Sequence, residues 1–208
     1  MINTLHNRLI DISFKNKLSH LSSCITSLPI IYDIYKKKKE EDIFILSNGH
    51  AGLALYVVLE HFYRFNAEDL LHTHGVHPNI DTEHKIYCST GSLGLGLPVG
   101  IGYAISNLTR KIYVLISDGE AKEGSIWESL NFIDTKQITN IEVNVNVNGY
   151  SAYDIIDQDN ITRKLKSFLN NIVIHYTNLT KFPLLDNMGI ESHYYILKTE
   201  DERNTLLL

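Results

Sequence analysis

The chain has 208 residues, 44% of them hydrophobic and 21% charged, with 19 Lys and Arg against 24 Asp and Glu and a formal net charge of −5 at pH 7. That length fits one sizeable domain over residues 1–208 with a real core. The acidic balance argues against a nucleic-acid surface, which needs an excess of Lys and Arg. No apolar run approaches membrane-spanning length and no signal-like apolar region opens the chain, while two unpaired cysteines, Cys24 and Cys88, suit a reducing compartment, so a soluble cytoplasmic protein is expected.

In chain order, Leu5 to Lys17 mixes apolar and basic residues at helical spacing. Ser22 or Ser23 is expected to cap a second helix running toward the lysines, with a kink or restart at Pro29. Lys36 to Lys39, followed by Glu40, Glu41 and Asp42, reads as a solvated helix end and turn. Ile43 to Leu46 is a short strand ending in Ser47-Asn48-Gly49-His50, and an amphipathic helix follows from Ala51 to about Phe65. A glycine beside a histidine holds the imidazole in a loop that small molecules can approach. His72, His74 and His77 crowd six positions; they invite a zinc reading, but no Cys or acid stands nearby at tetrahedral-site spacing. Ser89-Thr90-Gly91-Ser92-Leu93-Gly94-Leu95-Gly96-Leu97 opens an apolar helix reaching about Asn107. A dinucleotide GxGxxG loop is the rival reading, weakened because no apolar strand precedes these glycines.

Ile112 to Ile116 reads as a buried strand that breaks at Ser117-Asp118-Gly119. An amphipathic helix carrying Ile126, Trp127, Leu130, Phe132 and Ile133 comes next, and a second strand, Ile141 to Val147, ends at Asn148-Gly149. In an open parallel sheet, ligands bind beyond the carboxyl ends of the strands, so Asp118 and Asn148 point at one site. Both are also ordinary turn formers. A carboxylate from Asp118, an amide oxygen from Asn148 and a backbone carbonyl just past Asn148 suit a small hard cation such as Mg²⁺, and Gly119 allows close approach of a diphosphate. Glu142, Asn144, Asn146 and Asn148 fall on one face of the second strand; this strand is therefore expected at a sheet edge, or with its polar face against a partner or the cofactor. Beyond it come a short helix from Ile161 to Leu169, a strand at Ile172 to Ile174, the segment Ile190-Glu191-Ser192-His193-Tyr194-Tyr195, and a charged stretch from Thr199 to Leu206.

In this order, Ser19-His20, Ser47-Asn48-Gly49-His50, His77-Pro78, Thr90-Gly91-Ser92-Leu93-Gly94, Asp118-Gly119 with Glu123-Gly124, Asn148 and His193-Tyr194 resemble the motifs of transketolases. The resemblance covers nearly the whole chain and is to the diphosphate-binding half, sometimes a separate N-terminal subunit. Departures are Ser117 for the first Gly of Gly-Asp-Gly, Val76 between Gly75 and His77, Ser192 for Trp, and a shortened span from Asn148 to His193. The resemblance implies an α/β thiamine-diphosphate-binding fold, a mostly parallel sheet flanked by helices. It implies His20, His50, His77 and His193 as catalytic groups touching donor hydroxyl and carbonyl oxygens. His50, Gly91, Leu93, Asp118, Gly119, Glu123 and Asn148 would bind cofactor, and Asp118, Asn148 and the Tyr150 carbonyl would hold Mg²⁺ or another divalent ion such as Ca²⁺.

The activity so implied is transfer of a two-carbon ketol unit between sugar or nucleotide-sugar substrates by way of thiamine diphosphate. The pyrimidine-binding domain of the family is missing from these motifs, so a C-terminal transketolase-like subunit is expected in trans, as α₂β₂. Apolar surface from Gly91–Ile105 and around Trp127 would form that interface, with Glu123 assisting. The alternatives are another thiamine-diphosphate synthase or decarboxylase, and a non-catalytic assembly module.

Overall fold

The computed structural model describes residues 1–208. Two helices, α1 (Ile2–Asn16) and α2 (Leu21–Lys37), precede the first strand, β1 (Ile43–Leu46). Then come α3 (Gly52–Tyr63), α4 (Ala67–His74), α5 (Gly96–Ser106), β2 (Ile112–Ser117), α6 (Gly124–Thr135), β3 (Ile141–Val147), α7 (Gln158–Phe168) and β4 (Val173–Tyr176), with two short helices, α8 (Pro183–Asp186) and α9 (Glu200–Thr205), at the end. The four strands lie in one sheet in the order β1-β2-β3-β4, all neighbours parallel. Parallel neighbours need a crossover between them, and the helices supply it. The expected α/β class, a parallel sheet flanked by helices, is what the chain forms.

Both faces of the sheet are covered, which explains why β1 and β2 are apolar without alternation. On one face Phe44, Leu46, Tyr113 and Leu115 pack with α1 to α4. On the other, Ile43, Ile45, Val114, Ile116, Val143 and Val145 pack with α5, α6 and α7. Glycine permits the closest crossings: a Cβ on Gly52 would collide with the Val76 carbonyl oxygen, and one on Gly100 would stand 2.6 Å from a Val114 methyl.

Three expectations need correction. β3 is not an edge strand, because it lies between β2 and β4. Its polar face is buried under α2, where Asn146 Nδ2 donates to Thr26 Oγ1 (3.0 Å) and Ser27 Oγ (3.2 Å), and Thr177 Oγ1 donates to Asn146 Oδ1 (2.5 Å). Asn144 Oδ1 meets His175 Nε2 at 2.9 Å. Buried amides are tolerated when paired, so the alternation reflects a polar seam inside the fold. Second, Ser22 and Ser23 lie within α2; its N-cap is His20, whose N–H donates to the His193 carbonyl at 2.9 Å. Third, α2 runs through Pro29 without a break. Pro29 is on its exposed side, where the ring meets solvent and water can take up the freed carbonyl. The apolar helix of the glycine-rich segment starts at Gly96, leaving Gly91 to Leu95 as loop.

Candidate functional site

Each strand delivers a loop to the same edge of the sheet. After β1, Gly49 to Ala51 form a turn of 3₁₀ helix and carry His50. After β2, Asp118 caps a second 3₁₀ turn, Gly119–Lys122. After β3 the chain turns at Gly149 (φ 87°), a left-handed position that suits glycine. These loops and the segment from Asn178 to His193 enclose a cavity of about 200 Å³, with Ser117, Gly119, Asn148 and Tyr150 at one end and His50, Leu93 and His193 also in its wall.

Asp118 is fully buried at that edge. Its Oδ1 accepts from the Gly119 N–H (3.0 Å) and its Oδ2 from the Gly149 N–H (2.7 Å), and no ion pair of the chain reaches it. Burial pushes its carboxyl up to about 7, against the pull of the Gly149 and Gly119 amides. Asn148 Oδ1 accepts from the Tyr150 N–H at 2.9 Å. The Tyr150 carbonyl passes close to Gly119, 3.6 Å from where a Cβ would stand. A buried carboxylate lacking a counter-charge, next to an amide oxygen and a free carbonyl, is an all-oxygen donor set that fits a hard divalent cation.

The four histidines singled out in the sequence converge. His20 and His193 touch, Nδ1 to Nε2 at 3.1 Å. Ring centroids are 4.5 Å apart for that pair, 5.2 Å for His50 and His193, 5.5 Å for His20 and His50, and 6.1 Å for His20 and His77. His20 occupies the left-handed region (φ 62°), uncommon for a residue with a side chain. The tie to His193 holds it there, and such local strain gathers at functional sites. Burial, then the neighbouring imidazoles, lowers His20 to about 4 and His50 to about 3; burial also lowers His193. His77 is exposed at the rim, its ring 3.5 Å from a Cβ built on Gly91.

Those shifts give a direct expectation. Nitrogen-labelled imidazoles of His20 and His50 should titrate near pH 4 and 3 in NMR spectra, both below the ordinary value of about 6.5. Because the unfolded chain binds these protons first, the stability tied to both residues is complete above about pH 6.5. It declines as pH falls from there toward 4 and then 3. Midpoints at the ordinary value for both rings would contradict the packed cluster.

Not every expected residue lines the cavity. Glu123 is the exposed N-cap of α6, beside Gly94. Gly91 is exposed next to His77, while Leu93 is in the cavity wall. The zinc reading fails: His72 reaches Asn16 (3.3 Å) and His74 lies 3.4 Å from Asp81, while His77 joins the cluster. No group of three or more His, Cys, Asp and Glu side chains gathers for a metal. Two residues near the cavity were given no role in the sequence reading. Tyr194 sets its ring 4.8 Å from His193; its place directly after a motif histidine was the available signal. Glu120, the acid between Gly119 and Ala121, is fully buried.

Residues 32–175 match the family model described as transketolase, thiamine diphosphate binding domain. The chain belongs to this transketolase family. Among curated relatives it is similar to an apulose-4-phosphate transketolase subunit of Phocaeicola vulgatus, 38% identical over 142 residues, 59% of this chain and 50% of that one. It is similar also to a 6-deoxy-6-sulfo-D-fructose transketolase subunit of Clostridium sp. (strain MSTE9), 33% identical over 112 residues, 49% of this chain and 41% of that one. A 1-deoxy-D-xylulose-5-phosphate synthase of Fusobacterium nucleatum is 28% identical over 81% of this chain and 30% of its own. The chain thus spans about half, or less, of these relatives' lengths. Among solved structures, a transketolase from Pichia stipitis superposes with a TM-score of 0.73 at 20% identity, covering 99% of this chain and 39% of that chain. For one from Campylobacter jejuni the values are 0.72, 20%, 92% and 39%. At these identities the likeness is one of fold, the transketolase fold. No helix is long and apolar enough to cross a membrane.

Proposed function

We propose that this chain is the diphosphate-binding part of a cytoplasmic transketolase-type enzyme, moving a two-carbon ketol unit between sugar substrates with thiamine diphosphate and Mg²⁺. The observation that carries the reading is the convergence of four histidines beside the Asp118–Asn148 edge of the sheet. Asp118, Asn148 and the Tyr150 carbonyl would hold the divalent ion. Gly119, Gly91 and Leu93 would offer backbone and small surface to the cofactor, and His50 would face both cofactor and substrate. When bound, thiamine diphosphate supplies carbanion stabilisation at the reacting carbon. The chain's own work is orientation and proton placement. With His20, His50 and His193 held neutral near pH 7, each imidazole can donate at one nitrogen and accept at the other. That matches the hydroxyl and carbonyl oxygens of a ketose better than an array of cations would.

A second polypeptide completes the enzyme in this reading. A cavity of about 200 Å³ is smaller than the roughly 300–1,000 Å³ of small-molecule sites, so another surface must enclose the rest of the cofactor. Leu95, Val99, Ile105 and Phe132 form an exposed apolar face on and beside α5, with exposed Glu123 nearby. That face suits the partner subunit, paired by two-fold symmetry as α₂β₂. Trp127 is half-buried: its Nε1 donates to the Ala121 carbonyl at 2.8 Å and its ring lies 5.1 Å from that of Phe168. The Phocaeicola and Clostridium relatives are themselves named as subunits, which agrees. In the test, the purified chain is assayed alone for ketol transfer among sugar phosphates and nucleotide sugars, then with candidate C-terminal subunits. No turnover alone and turnover on addition of one subunit are expected. Robust turnover alone would refute the partner requirement, and condensation with loss of CO₂ in place of ketol transfer would favour a synthase.

A further inference from the structure

We propose that Glu120 is the positioning residue of the cofactor cradle, a buried carboxylate that locks three separate ligand-facing segments to one another. The inference rests on reading the cavity as the diphosphate site. Glu120 is fully buried and does not line the cavity, so it acts through its neighbours. Its Oε1 accepts from Ser47 Oγ (2.7 Å) and from the Gly94 N–H (2.8 Å), and its Oε2 accepts from the Ser117 N–H (3.1 Å). Its own N–H donates to Ser117 Oγ at 3.3 Å.

Ser47 and Gly94 come from distant parts of the chain, Ser117 from just before Glu120, and each adjoins a residue assigned to the site. Ser47 leads into the loop of His50, Gly94 follows Leu93, and Ser117 precedes Asp118. The packing around the carboxylate has no slack. A Cβ on Gly96 would stand 2.6 Å from Ser47 Cα, and one on Gly94 would stand 2.5 Å from Ser125 Oγ and 2.8 Å from Glu123 Cβ. Backbones brought this close leave their N–H groups without water. An acceptor must come from inside, and a carboxylate can satisfy three donors at once. Removing it would orphan the Gly94 and Ser117 amides and free the glycine loop to shift. The loops that should meet the diphosphate would then lose their common anchor, while the sheet and both hydrophobic layers remain.

The test compares the wild-type 208-residue chain with Glu120→Gln and Glu120→Ala. Calorimetric titration with thiamine diphosphate and Mg²⁺ is run well below each variant's melting temperature, and amide exchange is followed by NMR at Gly94 and Ser117. Glutamine keeps one carbonyl oxygen for Ser47 and Gly94 but turns an N–H toward the Ser117 N–H, so affinity should fall about tenfold. Alanine should weaken binding further and remove protection at both amides, with glutamine restoring Gly94 alone. Should the alanine chain fail to fold, the glutamine variant decides by itself. Folded variants with wild-type affinity would overturn the positioning role. A wild-type chain that binds no cofactor, either alone or with its partner subunit, would overturn the functional reading instead, and this inference with it.

Discussion

Replacing Asp118 by alanine is expected to remove Mg²⁺-dependent cofactor binding, weakening it at least about a hundredfold, or roughly 3 kcal/mol. The reason lies in the environment of the carboxylate. It is fully buried, held by the amides of Gly119 and Gly149, and has no Lys or Arg beside it. An acid kept in that state is raised toward neutrality, and a divalent ion supplies the charge that would bring it down. A pH dependence follows. Below about 7 the carboxyl holds a proton that the metal must expel, so affinity should fall as pH drops through that value and level off above it. Titrations of wild type from about pH 6 to 8, and of Asp118→Ala at the upper end of that range, check both parts. Unchanged affinity and metal dependence in the variant would rule out the assignment.

In the reconstituted enzyme, His77→Ala should lower turnover by about two to three orders of magnitude and leave cofactor affinity nearly intact. His77 is exposed at the rim, its ring 6.1 Å from His20, and does not line the cavity next to Asp118 and Asn148. It can therefore meet substrate without holding the diphosphate. Because its side chain is exposed, removing it should leave the melting temperature within about a degree or two. His50→Ala, by contrast, should damage both turnover and cofactor affinity. A His77→Ala chain that melts early yet turns over normally once folded would make the residue structural.

The strand ends were legible, to within one residue, from residue order because each apolar run stops at a short polar turn: Leu46 at Ser47, Ile116 at Ser117-Asp118, Val147 at Asn148. The parallel sheet then gathers those turns along one edge, and the histidine motifs with them. What periodicity could not show were contacts made across the chain. Alternation in β3 pointed to a sheet edge or to a polar face against a partner or cofactor, yet Asn146 bonds to Thr26 and Ser27, 120 and 119 positions away. His20, not a serine, starts α2, since its N–H is claimed by the His193 carbonyl from the far end of the chain. Nothing local to Glu120 reveals that Ser47 and Gly94 close over it. α4 was missed for a related reason. Its apolar face is limited to Ala67, Leu70 and Leu71, and it is anchored by the Asn66 cap and by Arg8 of α1, which reaches Glu68 at 3.0 Å.

The most direct measurement is calorimetric titration of the wild-type chain with thiamine diphosphate above the Asp118 midpoint, at about pH 8, with Mg²⁺ present and again after chelation. Saturable binding of one cofactor per chain in Mg²⁺, abolished by the chelator and tightened by the partner subunit, is the expected result. Absence of binding in Mg²⁺ even with the partner subunit present, or binding of equal strength without any divalent ion, would contradict the assignment of Asp118, Asn148 and Tyr150 as the metal–diphosphate site.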